Sequence, residues 1–154
     1  MSIEGTYDRT NIFAKILRGE APVAKVCEDA NVLAFMDLFP QSAGHVVVIP
    51  KTSSARNILE VDAPTLQQLI EIVQNIAKAA HVALQPDGVI VTQFNGEAAG
   101  QTVYHLHFHV IPCWVGQPLK GHGLGERADT DHLSRLAGKI AAALNRHSLD
   151  SRGS

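Results

Sequence analysis

The sequence predicts a single α+β domain, and three observations carry that expectation. Short apolar runs bounded by turn formers recur at 23–28, 32–37, 45–50, 89–94 and 103–111, the pattern of strands. Two longer stretches, 64–84 and 130–144, repeat apolar residues every three and four positions, as amphipathic helices packed on a sheet do. At 154 residues, 45% apolar and 18% charged, the chain can build one hydrophobic core. No internal repeat or composition shift divides it.

Asn11 is placed to cap a short helix running to Leu17, with Gly19 and Pro22 stopping it. Ile12, Phe13, Ile16 and Leu17 form its apolar stripe, which either packs in the core or walls an apolar pocket. Val23–Glu28 and Val32–Asp37, joined by Asp29-Ala30-Asn31, read as a hairpin. Asp37 at its end is a turn former or an acceptor for a vicinal diol such as ribose. The unbroken apolar run Val46–Ile49 predicts a strand buried on both faces, with His45 at its mouth. His45 is either a strand-end residue in water or a member of a histidine site.

Residues 53–59 read as a short helix. Asp62 and Pro64 then start a long one, carrying Leu66, Leu69, Ile70, Val73, Ile76, Ala77, Ala80 and Leu84. His81 near its C-terminal end suits the helix dipole and is read as structural. Pro86-Asp87-Gly88 turns the chain into the next strand. The small, polar segment 95–102 is either a plain connection or a loop whose N–H groups approach an anion. It lacks the Gly-Lys-Ser/Thr of a nucleotide-binding P-loop. Residues 116–125 hold four glycines and read as a mobile loop or as an arm that orders against something else, and Thr130 and Asp131 open the final helix.

The chemistry concentrates in Tyr104-His105-Leu106-His107-Phe108-His109-Val110-Ile111. Strict alternation predicts a strand with all three imidazoles on one face, about 6.6 Å apart along it. That spacing lets two or three rings converge on one tetrahedral group. Two chemistries suit the face: metal ligation, or metal-free nucleophilic and acid–base work at phosphorus.

Composition excludes other classes. Lys and Arg number 13 against 15 Asp and Glu, so no global positive field holds nucleic acid or an anionic membrane. The two cysteines, Cys27 and Cys113, form no Cys-x-x-Cys pair, which makes a reducing compartment the expectation. With no signal-peptide pattern and no apolar run of membrane-spanning length, the expected location is the cytoplasm.

The sequence also resembles the histidine triad (HIT) family, whose signature is His-φ-His-φ-His-φ-φ with φ apolar. Residues 105–111 match it at every position. Ile12-Phe13-x-Lys15-Ile16, Phe35-x-Asp37, Pro40-Gln41, His45 with Val48-Ile49-Pro50-Lys51, and Asn95 with Gly100-Gln101-Thr102-Val103 resemble the Hint branch. The resemblance covers about 11–114. It implies a five-stranded antiparallel sheet with packed helices, paired about a twofold axis into a homodimer with an extended sheet. On this basis 1–10 is an N-terminal extension and 11–114 the domain core. Residues 115–147 are a Gly-rich loop and helix of the same domain, and 148–154 a flexible tail.

The resemblance further implies a hydrolase or transferase that cleaves the P–N bond of purine nucleoside 5′-phosphoramidates through a covalent nucleotidyl-histidine. A dinucleoside polyphosphate hydrolase of the Fhit kind and a purine-nucleotide-binding regulatory module are the alternatives. His107 corresponds to the nucleophile, His45 and His109 to phosphate-binding and proton-handling partners, and His105 to a support acting through its backbone. Asp37 corresponds to the ribose-binding acid, and Asn95, Gln101 and Thr102 to residues around ribose and phosphate. Ile12, Phe13, Ile16, Phe35 and Leu38 correspond to the purine pocket. Many bacterial relatives bind structural zinc through two cysteines and a histidine; here Asn11, Ala14 and Ser53 stand there, so neither zinc nor another cofactor is expected.

Overall fold

The structure is a computed structural model that describes the backbone of residues 2–152 and side chains through Leu144. Asn11 caps α1 (Ile12–Leu17), its Oδ1 accepting from Ala14 N–H at 2.9 Å. Strands β1 (Lys25–Glu28) and β2 (Val32–Met36) form the expected hairpin, its turn held by Asp29 Oδ1 accepting from the Asn31 and Val32 N–H groups. Next come β3 (Val46–Pro50), α2 (Ala63–Leu84), β4 (Gly88–Thr92), β5 (Phe108–Cys113) and α3 (Thr130–Arg152).

The five strands make one antiparallel sheet in the order β1-β2-β3-β5-β4. Its faces follow from the period-two alternation. On one face Val32, Ala34, Met36, Val46, Val48, Phe108 and Val110 join Leu69, Val73 and Ile76 of α2 and Leu133, Leu136 and Ile140 of α3 in the main core. On the other, Leu33, Phe35, Val47 and Ile49 pack against Ile16 and Phe13 of α1. The central strand β3 is thus buried on both sides, and each such Val or Ile stabilises the fold by roughly 1.5–3 kcal/mol.

Asp62 caps α2 through Thr65 N–H, with Pro64 in its first turn. No helix among the described residues is long and apolar enough to cross a membrane. The expected flexibility of 148–154 concerns side chains, and at 153 and 154 also backbone, that lie outside the described residues.

Two expectations are corrected. Residues 53–59 form bends and a turn instead of a helix, because other groups take their backbone donors. Ser53 Oγ accepts from Ala55 N–H, Asn95 Oδ1 from Ile58 N–H and Asn57 Oδ1 from Leu59 N–H. The histidine strand also starts later than alternation predicts. β5 begins at Phe108, so His105 and His107 precede the ladder. Leu106 N–H bonds instead to Ala55 O at 2.9 Å, and His105 O accepts from the His107 ring.

Candidate active site

β5 delivers His109 opposite Val47 of β3, which is itself opposite Phe35 of β2, on the sheet face that α1 covers. His45, from the turn before β3, and His107, from the bend before β5, arrive beside it. The rings of His107 and His109 lie 4.9 Å apart at 77°, and Phe13 of α1 sets its edge against His107 at 4.9 Å. Around them is a cavity of about 290 Å³. Ile12, Phe13, Ile16, Phe35 and Leu38 give it an apolar side; Asp37, His45, Thr102, His107 and His109 give it a polar one.

Hydrogen bonds fix which nitrogen of each ring carries a proton. The His105 carbonyl can only accept, so His107 donates Nδ1–H to it at 2.7 Å and keeps a bare lone pair on Nε2. His45 Nδ1 accepts from Gln41 N–H at 3.1 Å, so its proton is on Nε2. That Nε2 faces His109 Nδ1 at 2.9 Å and Asp37 Oδ2 at 3.4 Å. His109 therefore accepts at Nδ1 and carries its proton on Nε2, a buried atom with no hydrogen-bond partner among the described residues. One ring presents a lone pair, its neighbour a donor.

Burial keeps these rings neutral. Desolvation pushes the His107 pKa down to about 4, partly countered by its bond to His105 O. His109 is driven down by burial and then by His107 and His45, and His45 by burial against the pull of Asp37. His105 is lowered by burial too. It sits behind the cavity instead of lining it, donating Nε2–H to Pro50 O at 3.0 Å and accepting from Tyr7 O–H at 2.6 Å.

Asn95 and Gln101 do not line the cavity. The Asn95 amide pairs with Gln93 and accepts from Ile58 N–H. Gln101 is buried, accepting from Gly96 N–H and donating to Arg56 O and Val103 O. Both brace the 95–103 loop, since their polar atoms are engaged within the protein. Asp37 is a turn former, its Oδ1 accepting from Phe39 N–H at 2.8 Å, and its carboxylate also lines the cavity. Sequence reasoning missed Tyr7, in what reads as an extension, and His122, in what reads as a featureless loop. The high histidine content was the one signal that pointed toward the second.

Asp37, His45 and His109 are close enough to offer three ligand atoms to a metal. The His45–His109 nitrogens stand 2.9 Å apart, a hydrogen-bond distance and shorter than the roughly 3.4 Å that tetrahedral zinc imposes on two imidazoles. At the positions of the structural zinc site, Asn11 caps α1 and Ser53 accepts from Ala55 N–H, which does not fit that ion.

The HIT domain family model matches residues 18–113. The adenosine 5′-monophosphoramidase hnt1 of Schizosaccharomyces pombe is 39% identical over 114 residues, 74% of this chain and 79% of that protein. A Hit-like protein involved in cell-cycle regulation from Bartonella henselae superposes with a TM-score of 0.84 at 50% identity, covering 90% of this chain and 99% of that one. A Zn-bound histidine triad family protein from Mycobacterium smegmatis superposes at 0.76 with 34% identity, covering 93% and 97%. With the motif, the antiparallel sheet and the histidine cluster all in place, the chain belongs to the histidine triad (HIT) family.

Proposed function

We propose that this member of a nucleotide-hydrolase family cleaves the P–N bond of purine nucleoside 5′-phosphoramidates by covalent catalysis at His107. The observation that carries the reading is the 2.7 Å bond from His107 Nδ1 to His105 O, which leaves Nε2 as a lone pair in the cavity. That a relative 39% identical is an adenosine 5′-monophosphoramidase supports the reading.

His107 Nε2 attacks the α-phosphorus, a P–N bond to the enzyme forms, and the bond to the substrate nitrogen breaks. The departing amine takes up the proton of His109 Nε2, which the attacking water restores in the second step. Water then attacks phosphorus, releasing the nucleoside monophosphate and returning the lone pair to His107 Nε2. His109 Nε2–H is the donor that meets the charge on the phosphoryl oxygens, a contribution of about 3 kcal/mol for a well-placed donor. The apolar wall of Ile12, Phe13, Ile16, Phe35 and Leu38 takes the purine, and Asp37 the ribose diol. No step needs a metal. A homodimer is part of the reading, supported by an edge strand, β4, that leaves Ile90 and Val91 exposed.

The test is acid-quenched mass spectrometry during turnover of adenosine 5′-phosphoramidate. A nucleotidyl adduct on the peptide containing His107 is expected. An adduct elsewhere moves the nucleophile, and repeated failure to trap one favours direct attack by water. Faster turnover of a diadenosine polyphosphate would reassign the substrate. Binding without multiple turnover of either would make the chain a regulatory module.

A further inference from the structure

The cavity has a second orphaned imidazole that the triad does not account for. His122 lines it together with His107 and His109, although it comes from the Gly-rich segment beyond the family match. Its ring stands 4.8 Å from Phe94 and 5.3 Å from His109, the latter at 82°. Its Nε2 is buried with no hydrogen-bond partner among the described residues, as is Nε2 of the touching His109. Two adjacent rings thus hold unused Nε2 atoms in one cavity. A buried polar atom without a partner costs free energy unless a ligand or water satisfies it.

The segment is built to put His122 there. Lys120 N–H donates to Gln41 O at 3.1 Å and Ala128 N–H to Leu38 O at 2.9 Å, strapping the loop to the 38–41 turn on the cavity rim. A turn closed by Leu124 N–H to Gly121 O at 3.0 Å carries the imidazole inward, with Gly123 at φ +72°. That positive φ strongly favours glycine. Gly125 lies so close to the rim that a Cβ would fall 2.8 Å from Pro40 O. Among the described residues no lysine or arginine lines the cavity, so the oxygens of a bound phosphate would be met by neutral donors: imidazole N–H, the Thr102 hydroxyl, the Gln41 amide and backbone N–H.

We infer that His122 is a substrate-contacting residue whose Nε2 joins that of His109 in holding the phosphate group, closing the site from the loop side. The inference rests on the nucleotide reading and deepens it. The three buried rings of His45, His107 and His109 are fixed by hydrogen bonds within the protein; His122 comes from a separate segment strapped to the 38–41 turn.

Calorimetric titration with AMP and with adenosine tests this, because only AMP carries the phosphate. His122→Phe keeps a ring against Phe94 but loses the nitrogen; His122→Gln keeps a side-chain N–H. The Phe variant should bind AMP about tenfold more weakly, the loss of one hydrogen bond to a charged group, and adenosine as wild type does. The Gln variant should recover most of the AMP affinity. A Phe variant that keeps wild-type AMP affinity, or loses AMP and adenosine alike, overturns the inference and makes His122 a packing residue. Wild-type protein that binds neither ligand overturns the nucleotide reading itself, a result distinct from either of those.

Discussion

His45 donates Nε2–H to Nδ1 of His109 across 2.9 Å, joining the turn before β3 to the second residue of β5. The bond makes His109 a donor at the nitrogen that faces the cavity. Removing His45 frees His109 to take the other tautomer and to turn about its side-chain torsions. His45→Ala should therefore lower kcat by about 10², within the range of a lost proton-handling partner. Steady-state kinetics with adenosine 5′-phosphoramidate decide it, and an unchanged kcat would mean that His109 needs no such anchor.

His107→Asn should abolish turnover and the covalent adduct. Asparagine can still donate to the His105 carbonyl but offers no nucleophilic nitrogen. AMP should still bind within about tenfold of wild type, or roughly 1.4 kcal/mol. Turnover surviving in this variant would place the nucleophile elsewhere.

Stability should fall in mild acid. The folded protein holds the His107 pKa at about 4, below its ordinary 6.5, and burial lowers His45, His105 and His109 as well. Above pH about 6.5 neither the folded nor the unfolded chain protonates these rings, so their contribution is intact. As pH drops from about 6.5 toward 4, the unfolded chain binds protons that the folded site refuses. Each such ring then costs up to about 1.4 kcal/mol per pH unit, or about 3 kcal/mol from His107 over the whole interval. Urea melts at pH 7.5, 6 and 5 measure it. A midpoint that does not fall across that range would show that the folded rings protonate normally.

Asp37→Asn separates the carboxylate's two tasks. Asparagine Oδ1 still accepts from Phe39 N–H, so the turn survives, while one diol acceptor is lost. AMP should lose about tenfold in affinity and 2′-deoxy-AMP much less. Equal losses for both nucleotides would count against a ribose role.

Exhaustive chelation should leave turnover unchanged, and purified protein should carry no stoichiometric zinc. Elemental analysis alongside EDTA-treated kinetics checks both. Activity lost to EDTA and restored by zinc would convert Asp37, His45 and His109 from a hydrogen-bonded set into ligands.

Much of this architecture was legible in the sequence because local chemistry and tertiary packing agree. Asn11 and Asp62 cap helices where a cap residue precedes an apolar stripe, and Val46–Ile49 fills both faces of a central strand. Legibility failed where distant partners override local preference. Residues 53–59 have a helical pattern, yet Asn95 takes one of their N–H groups and Leu106 binds one of their carbonyls. Alternation at 103–111 promises one continuous strand, yet the His107 ring captures the His105 carbonyl. Asn95 and Gln101 could be placed near the site from sequence, but not which way their amides point. Tyr7 and His122 were missed for a related reason: Tyr7 reaches a histidine 98 residues away and His122 returns to His109 across a turn, with no local periodicity to announce either.

The family match at residues 18–113 is narrower than the machinery it identifies. Tyr7 grips His105 from before it, α1 walls the cavity from before it, and His122 enters from after it. A fragment trimmed to the recognisable region would keep all three triad histidines and lose one wall, one brace and the strap. Swapping domains between relatives at those limits would therefore exchange the His107 and His109 rings while leaving behind flanks that enclose them. What reaches the triad in this chain is set in part by segments that the motif does not contain.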